Sequence, residues 1–382
     1  MATNNENINI DNVLPIMNKE NMEKMNIIRE QIKVKLNPKI NPENKGLKLI
    51  DPNNMCEKKV KDDNKKEEKE ENKIQTTGLN KRNVNYFLNK RESDNLLLNY
   101  GEETYFFNKL LEKEDFKIPE TFLQNHKINS IVRTKMIDWM IEVCSVINYM
   151  DETFFLAVNI LDIFLQKTKK IYENTDIHLI GMTSIFTASK FQEIYPQTLK
   201  VFSHRVGHDT FTMDQIKEME SQIMTDIGME ILVSTSVYDF MKTYFYDFCY
   251  NNKAIIEKNC DMKILKDIIT TANYLTKLVV HYEYFYSYDN SVKAVGCIVT
   301  AIKLIGYYFK EKFAEKDRNV YNQWILFLLK QDGFDKKEME NLVSKIYLFF
   351  NHYQKGNSTS KNLNKFIKLP FINSLKQEKK EK

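Results

Sequence analysis

One stretch of the sequence decides the fold: residues 132–147, which read VRTKMIDWMIEVCSVI. Its apolar side chains recur at steps of three and four residues, the spacing that places them on one face of an α-helix. The face comprises Val132, Met136, Trp139, Met140, Val143, Val146 and Ile147. The pattern predicts an amphipathic helix, and such a helix needs other apolar elements to cover it.

The same period continues on both sides of this stretch and predicts a first bundle of helices. The other predicted members span residues 99–113, 153–167, 176–193, 202–207 and 212–227. Asp151 is the predicted N-cap ahead of residues 153–167. Residues 176–193 are apolar on nearly all sides, which predicts a position in the middle of the bundle.

A second bundle of five helices is predicted downstream. Its members span residues 235–250, 262–285, 291–309, 319–330 and 336–353. Gly (10) and Pro (7) are scarce in the 382 residues, which favours long helices over a many-stranded sheet. The predicted fold class is all-α: two tandem five-helix bundles preceded by an N-terminal helix, with disordered tails.

The predicted domain boundaries follow shifts in composition. They are 1–95 for a disordered regulatory head, 96–232 for the first bundle with its preceding helix, 233–354 for the second bundle, and 355–382 for a polar tail. The head is rich in Asn, Lys and Glu. A segment of that composition cannot bury enough apolar surface to offset the entropy lost on ordering.

Composition also limits the function. The 56 basic and 52 acidic side chains leave a net charge of +4, too small for a strong field toward nucleic acid. The five cysteines include no Cys-x-x-Cys, so neither a disulfide framework nor a zinc site is predicted, and a reducing compartment is indicated. The polar N-terminus does not look like a secretory signal, and no run reaches about 18 apolar residues. We therefore expect no nucleic-acid or membrane partner, no metal, no cofactor, and residence in the nucleus and cytoplasm.

Two charged residues interrupt apolar helix faces. Lys190 lies in the all-apolar segment and Glu220 lies on the apolar stripe of the helix at 212–227. A buried charge needs a partner, and the opposite signs predict that the two side chains meet. Whether the pair is only an internal salt bridge or also a functional site stays open at this level. Arg133 and Asp162 invite the same argument, and a structural Arg–Asp clamp between adjacent helices is predicted.

Four blocks of the sequence resemble the cyclin family, in particular its mitotic A/B kind. They read RTKMIDWMIEV (133–143), ETFFLAVNILDIFL (152–165), ASKFQEIYP (188–196) and ME (219–220), at spacings that match the family. The five residues that define the cyclin box are all present, namely Arg133, Ala157, Asp162, Lys190 and Glu220. The resemblance is strong from about residue 99 to residue 231 and continues in helix pattern to about residue 353.

The resemblance implies a regulatory subunit and not an enzyme. Its two cyclin-box bundles would bind and activate a cyclin-dependent Ser/Thr protein kinase in cell-cycle control, by holding the kinase αC helix in its active position. It implies that Lys190 and Glu220 hydrogen-bond to that helix. The surrounding contact positions that it implies are Phe191, Glu193, Met224, Ile231 and, in the N-terminal helix, Phe107.

The resemblance also implies a substrate-docking patch, a shallow apolar groove that receives Arg-x-Leu motifs of kinase substrates or inhibitors. The matching positions are Val132, Lys135, Met136, Trp139, Glu142 and His178. This sequence departs from the family at two of them: Lys135 replaces an apolar residue and His178 replaces a glutamine. Because Lys135 would repel the Arg of the motif, we expect altered or weak docking. A half-exposed helix face without a docking role is the alternative that stays open.

Two short sequences in the head resemble degradation signals, which would engage a ubiquitin ligase. Lys19, Glu20 and Asn21 form a KEN sequence, and Arg29 and Ile32 resemble a destruction box with Ile in place of the usual Leu. Both are short, and in a chain this rich in Lys, Glu and Asn a chance match is the competing explanation.

Other interpretations are disfavoured. His204 and His208 have no third or fourth metal ligand at useful spacing. The aromatic run at 281–288 indicates packing and not a stacking platform for bases. A DNA-gripping transcription factor of the same fold would carry a zinc ribbon and a basic surface, and a repeat scaffold would show a period of roughly 30 to 45 residues. A cyclin that acts as a scaffold without binding a kinase stays open, although Lys190 and Glu220 argue against it.

Overall fold

The structure is a computed structural model. It describes residues 104–112, 117–229, 231, 234–310, 313–331, 334–354 and 361–372. All of them belong to one of the two compact units of the chain, residues 75–382. The predicted head and its degradation signals lie outside the described residues.

The first bundle follows a short helix, α1, at residues 104–112. Its five helices are α2 (Ser130–Ile147), α3 (Asp151–Lys167), α4 (Ile177–Gln192), α5 (Leu199–Arg205) and α6 (Met213–Ile227). A single turn of 3₁₀-helix, Phe122–Asn125, precedes α2. Within the described ranges the chain is helical and contains no strand, so the predicted all-α class is confirmed.

Helix α4 occupies the middle of the first bundle, because apolar residues surround it on all sides. Ile180, Met182 and Ile185 are fully buried. Gly181 lets α2 approach closely, since a Cβ at this position would lie 2.2 Å from the Cε of Met136. The core of the bundle therefore forms where α2, α3 and α6 pack around α4.

The second bundle begins after residue 234. Its helices are α7 (Val237–Asn251), α8 (Lys253–Asn259), α9 (Met262–Val280), α10 (Asn290–Tyr308), α11 (Glu315–Gln331) and α12 (Lys336–Gln354), and a short α13 (Asn362–Phe366) follows. Helix α10 is long and apolar enough to cross a membrane by composition alone, but 72% of that stretch is buried inside the protein. It is therefore the core helix of this bundle.

Three local predictions differ from the structure. Helix α8 (Lys253–Asn259) is a sixth helix of the second bundle, where five were predicted. The predicted helix at 262–285 ends at Val280, and a separate 3₁₀ turn covers Glu283–Ser287. The cause is tertiary: Arg133 binds the backbone carbonyls of Val280 and His281, which a continuing helix would have used internally. Asp151 is the first residue of α3 and not its N-cap, because its carboxylate is turned inward to another partner.

Arg133 joins the two bundles. Its guanidinium forms two hydrogen bonds with Asp162, Nε to Oδ1 at 2.8 Å and Nη2 to Oδ2 at 2.6 Å, and both side chains are buried. The same guanidinium donates to the carbonyls of His281 and Val280, each at 3.1 Å. Tyr286 completes the group by bonding to both Arg133 and Asp162. One buried cation therefore holds α2, α3 and the end of α9 together.

A second buried pair reinforces this joint. Lys277 of α9 donates to Asp151 at 2.5 Å, and Asn273 donates to the other oxygen of the same carboxylate at 2.8 Å. Next to it, Lys242 of α7 pairs with Glu152 at 2.7 Å. The N-terminus of α3 is thus bound to two helices of the second bundle.

Residues 361–372 fold back onto α2, although the sequence analysis assigns them to a polar tail. The Asp138 carboxylate accepts hydrogen bonds from the backbone N–H groups of Lys361 and Asn362 at 3.0 to 3.1 Å. Apolar side chains anchor the segment in the core; they are Leu363, Ile367, Leu369 and Phe371. The tail predicted from average composition therefore contains an ordered strap, because these four residues are spaced to face the protein.

Lys293 of α10 is a buried cation without an ion pair in the described part of the chain. It is 5% exposed, lines a cavity of about 50 Å³ between α1, α3 and α10, and lies over the ring of Tyr286. Burial lowers the pKa of Lys293 to about 8. The charged form is therefore destabilised in the folded protein.

Loss of the hydrogen bonds between the Arg133 guanidinium and Asp162 is expected to destabilise both bundles. Arg133→Met leaves Asp162 buried and unpaired, so the free energy of unfolding should fall by about 3–5 kcal/mol. Chemical denaturation measures this loss. In the control Lys127→Met, which removes the exposed Lys127–Glu173 pair, the denaturation midpoint should hardly change. Equal midpoints for the two variants would contradict the role given to Arg133.

Lys293→Met is expected to stabilise the protein at pH 7. The folded pKa near 8 lies below the ordinary 10.5, so the unfolded chain binds more protons between these values. The free-energy cost of burying the Lys293 side chain has its full value below pH 8, where the side chain is charged in both states, and falls to zero as the pH rises toward 10.5. The variant should gain about 2–3 kcal/mol at pH 7 and lose this advantage by pH 10.5. Lys303→Met, an exposed position on the same helix, is the control. If Lys293→Met were less stable than the unaltered chain at pH 7, the conclusion that the buried charge of Lys293 destabilises the folded protein would be wrong.

Candidate functional site

Lys190 and Glu220 meet, as the sequence predicts. Lys190 lies in the last turn of α4 and Glu220 in the middle of α6, and Lys190 Nζ is 2.5 Å from Glu220 Oε1. Thr187, one turn before Lys190, donates to the same oxygen at 2.9 Å. The ammonium also lies over the ring of Phe186. The site is therefore built where α4 and α6 pack side by side.

The pair is accessible to a partner. The Lys190 side chain is 40% exposed and that of Glu220 is 19% exposed. An ion pair this exposed contributes little to stability, because water screens it. Both contacts of Glu220 use Oε1, so in the part of the chain that the structure describes Oε2 stays available as an acceptor. The arrangement can donate and accept hydrogen bonds at one point of the surface.

Exposed apolar side chains follow Lys190 along the chain. Phe191 is next to it, and Ile194 and Tyr195 lie just beyond the end of α4, with 84% and 87% of their surfaces exposed. Met213 and Met229 are exposed at the two ends of α6. Large apolar residues that cluster outside the core typically mark a protein–protein interface. Ile194, Tyr195, Met213 and Met229 are absent from the predicted contact set; Ile194 and Tyr195 follow Lys190 closely in the chain, whereas Met213 and Met229 lie at opposite ends of α6.

Two of the predicted contact residues have other roles. The side chain of Ile231 is completely buried in the core, and its role as a kinase contact stays a prediction. Glu193 accepts hydrogen bonds from the Met150 N–H at 2.7 Å and the Thr153 hydroxyl at 2.5 Å, so its carboxylate holds the N-terminus of α3. Met224 and Phe107 are half-buried and retain some surface for a partner.

The six predicted docking residues lie along α2 and at the start of α4. The Trp139 and His178 rings pack in a T-shaped arrangement with centroids 4.8 Å apart, and the Phe211 ring packs on His178 with centroids 5.5 Å apart. Met136 is buried, Val132 is half-buried, and Lys135 is exposed. Burial lowers the pKa of His178, so its imidazole carries no charge at neutral pH.

The last docking residue, Glu142, is bound by the C-terminal strap. Lys365 Nζ is 3.0 Å from Glu142 Oε1, and Asn362 Nδ2 donates to Oε2 at 3.1 Å. Sequence analysis does not anticipate these two residues, because about 220 positions separate them from Glu142. The apolar residues between 363 and 371 are the signal that this part of the chain packs on the protein.

No group of three or more His, Cys, Asp or Glu side chains suited to a metal ion occurs among the described residues. His204, considered above as a ligand, pairs with Asp209 on the surface.

Comparisons with known proteins agree with the resemblance in the sequence. Residues 103–231 match the family described as cyclin, N-terminal domain. The chain is 31% identical to a G2/mitotic-specific cyclin-A of Spisula solidissima over 38% of this chain and 34% of that protein. It is 33% identical to a G2/mitotic-specific cyclin-B of Dictyostelium discoideum over 36% of this chain and 31% of that protein. A viral cyclin from herpesvirus saimiri matches with a TM-score of 0.48 and 16% identity, over 65% of this chain and 96% of its own.

The chain spans less than half the length of the curated relatives it matches. The matched family domain covers α1 through α6, which is the bundle that carries both Lys190–Glu220 and the Trp139 surface. Relatives of the A type and of the B type match at about the same identity. Residues 103–231 thus match the N-terminal domain of the cyclin family, and the relatives that the chain resembles include G2/mitotic-specific cyclins of both the A and the B type.

Proposed function

We propose that this chain binds and activates a cyclin-dependent Ser/Thr protein kinase in cell-cycle control. The observation that carries the proposal is the surface ion pair Lys190–Glu220, next to the exposed side chains of Phe191, Ile194 and Tyr195. The polar pair would bind the backbone of the kinase αC helix, and the apolar residues would pack around it.

The mechanism is a shift of population in the kinase. Phosphoryl transfer requires the strand lysine of the kinase to pair with the glutamate of its αC helix. A subunit that binds the αC helix only in this arrangement favours the active state, up to the difference between its affinities for the two states. No catalytic group of this chain takes part.

The geometry of the pair suits the recognition of a helix backbone. The Lys190 ammonium has three N–H donors, and Glu220 holds one of them. The Thr187 hydroxyl holds the Glu220 carboxylate, and Glu220 in turn holds the ammonium before a partner arrives. The side chains therefore lose little conformational freedom on binding, which favours affinity.

Substitution of either member of the pair is expected to weaken kinase binding and activation strongly. Lys190→Ala and Glu220→Ala each remove charged hydrogen bonds worth about 1.5–3 kcal/mol, so kinase affinity should fall about 10- to 100-fold. The test is co-expression with a cyclin-dependent kinase, measured by kinase binding and by Ser-Pro peptide phosphorylation. Thermal unfolding checks that the variants fold, since loss of an exposed pair should leave stability nearly unchanged.

The matched control is Lys217→Ala, which breaks the exposed Lys217–Asp214 pair on the same helix α6. It should activate the kinase like the unaltered chain. Full activation by Lys190→Ala or Glu220→Ala would contradict the proposal. A folded chain that binds no such kinase would indicate a scaffold function.

We further propose that substrates or inhibitors of the kinase dock on the patch around Trp139. The ring of Trp139, supported by His178 and Met136, offers an apolar anchor site that is half-buried and open to a ligand. Lys135 and the strap at Glu142 change the charge of the patch from the one implied by the family, which bears on its specificity.

A third proposal concerns turnover of the protein. A ubiquitin ligase would recognise Lys19–Asn21 and the segment from Arg29 to Ile32 in the head. The protein itself would distribute between nucleus and cytoplasm. Deletion of residues 1–40 should lengthen its half-life through mitosis, measured after a block of protein synthesis. Deletion of residues 51–73, a charged part of the same head, should not. An equal half-life for the deletion of 1–40 and the full chain would refute the signals.

A further inference from the structure

Three residues of the docking patch form one stripe on α2. Lys135, Trp139 and Glu142 are four and three residues apart, so their side chains follow one another along the same helix face. Lys135 is exposed and makes no ion pair with any residue that the structure describes. A free ammonium therefore stands one helical turn from the apolar anchor Trp139.

At the other end of the stripe, Glu142 already has partners. Both of its oxygens are engaged, Oε1 by Lys365 and Oε2 by Asn362. These two side chains are held in place because Asp138 binds the backbone at Lys361 and Asn362, and Leu363 is fully buried. The cation at Glu142 is thus carried by an anchored segment of backbone, although the Lys365 side chain itself is 58% exposed.

The charges of the patch sum to a positive value. Lys135 and Lys365 outnumber the single carboxylate of Glu142, and His178 contributes no charge at neutral pH. An incoming Arg would face the repulsion of Lys135 and would have to displace Lys365 from Glu142. A carboxylate would meet Lys135 without displacing any contact.

We propose that the patch docks a short apolar motif that carries an acidic residue, Glu or Asp, near its leucine anchor. The proposal rests on the docking function proposed above and specifies the partner by its charge. The apolar anchor packs on Trp139, and the acidic residue pairs with Lys135. The C-terminal strap acts in specificity, because Lys365 occupies the carboxylate that an Arg would need.

The test compares three fluorescent peptides that differ at one position, Glu-x-Leu, Ala-x-Leu and Arg-x-Leu, bound to the full chain. Fluorescence anisotropy gives the three affinities. The expected order is Glu, then Ala, then Arg, with about a threefold to tenfold difference between the first and the last at low salt. The difference should shrink as the salt concentration rises.

Two variants locate the effect. Lys135→Ala should remove the preference for Glu-x-Leu over Ala-x-Leu, and Lys365→Ala should strengthen the binding of Arg-x-Leu about twofold to fivefold. Lys303→Ala, an exposed position on α10, should leave all three affinities unchanged. The place of binding is checked by tryptophan emission, since Trp139 is half-buried at the patch and Trp324, the other tryptophan of the chain, is buried.

The possible outcomes separate this inference from the docking function. Peptides that change the emission of Trp139 but bind equally, or with Arg-x-Leu tightest, would overturn the charge preference and leave the docking function standing. Absence of any Trp139-dependent binding, with the protein folded, would overturn both.

Discussion

The buried guanidinium of Arg133 is the contact on which the rest of the structure depends. It satisfies Asp162 within the first bundle and the carbonyls of Val280 and His281 at the end of α9. Removing any partner would leave a buried charge or a buried carbonyl without a hydrogen bond. The network therefore fixes how the two bundles meet, and with it the position of α2, whose outer face carries the proposed docking patch.

Helix α2 performs three tasks on three of its faces. Arg133 points into the joint between the bundles, Asp138 holds the C-terminal strap, and Trp139 with Glu142 faces outward. The strap thus connects the packing of the second bundle to the charge of the docking patch. Lys190 and Glu220 lie elsewhere, where the end of α4 packs beside α6, so the two proposed surfaces share only α4, one at its start and the other at its end.

Much of this could be predicted from the sequence. The all-apolar segment at 177–192 indicates its central position, and charges of opposite sign on neighbouring apolar stripes predict the Lys190–Glu220 and Arg133–Asp162 pairs. Contacts between the first bundle and distant parts of the chain could not be predicted. The end of α9 depends on Arg133, nearly 150 residues away, and the capping role of Glu193 and the burial of Ile231 follow from packing that no local pattern encodes. The ordered strap at residues 361–372 was not predicted, because the average composition of the tail is polar although four well-spaced apolar residues lie within it.

Hydrogen exchange on the complex with a cyclin-dependent kinase tests the central claim most directly. The claim is that the kinase αC helix binds where α4 ends beside α6. Kinase binding should slow exchange in peptides covering residues 186–195 and 213–229 and, on the kinase, in its αC helix, with little change on α11 and α12. Protection confined to the second bundle, or an unprotected αC helix in a complex that forms, would contradict the account.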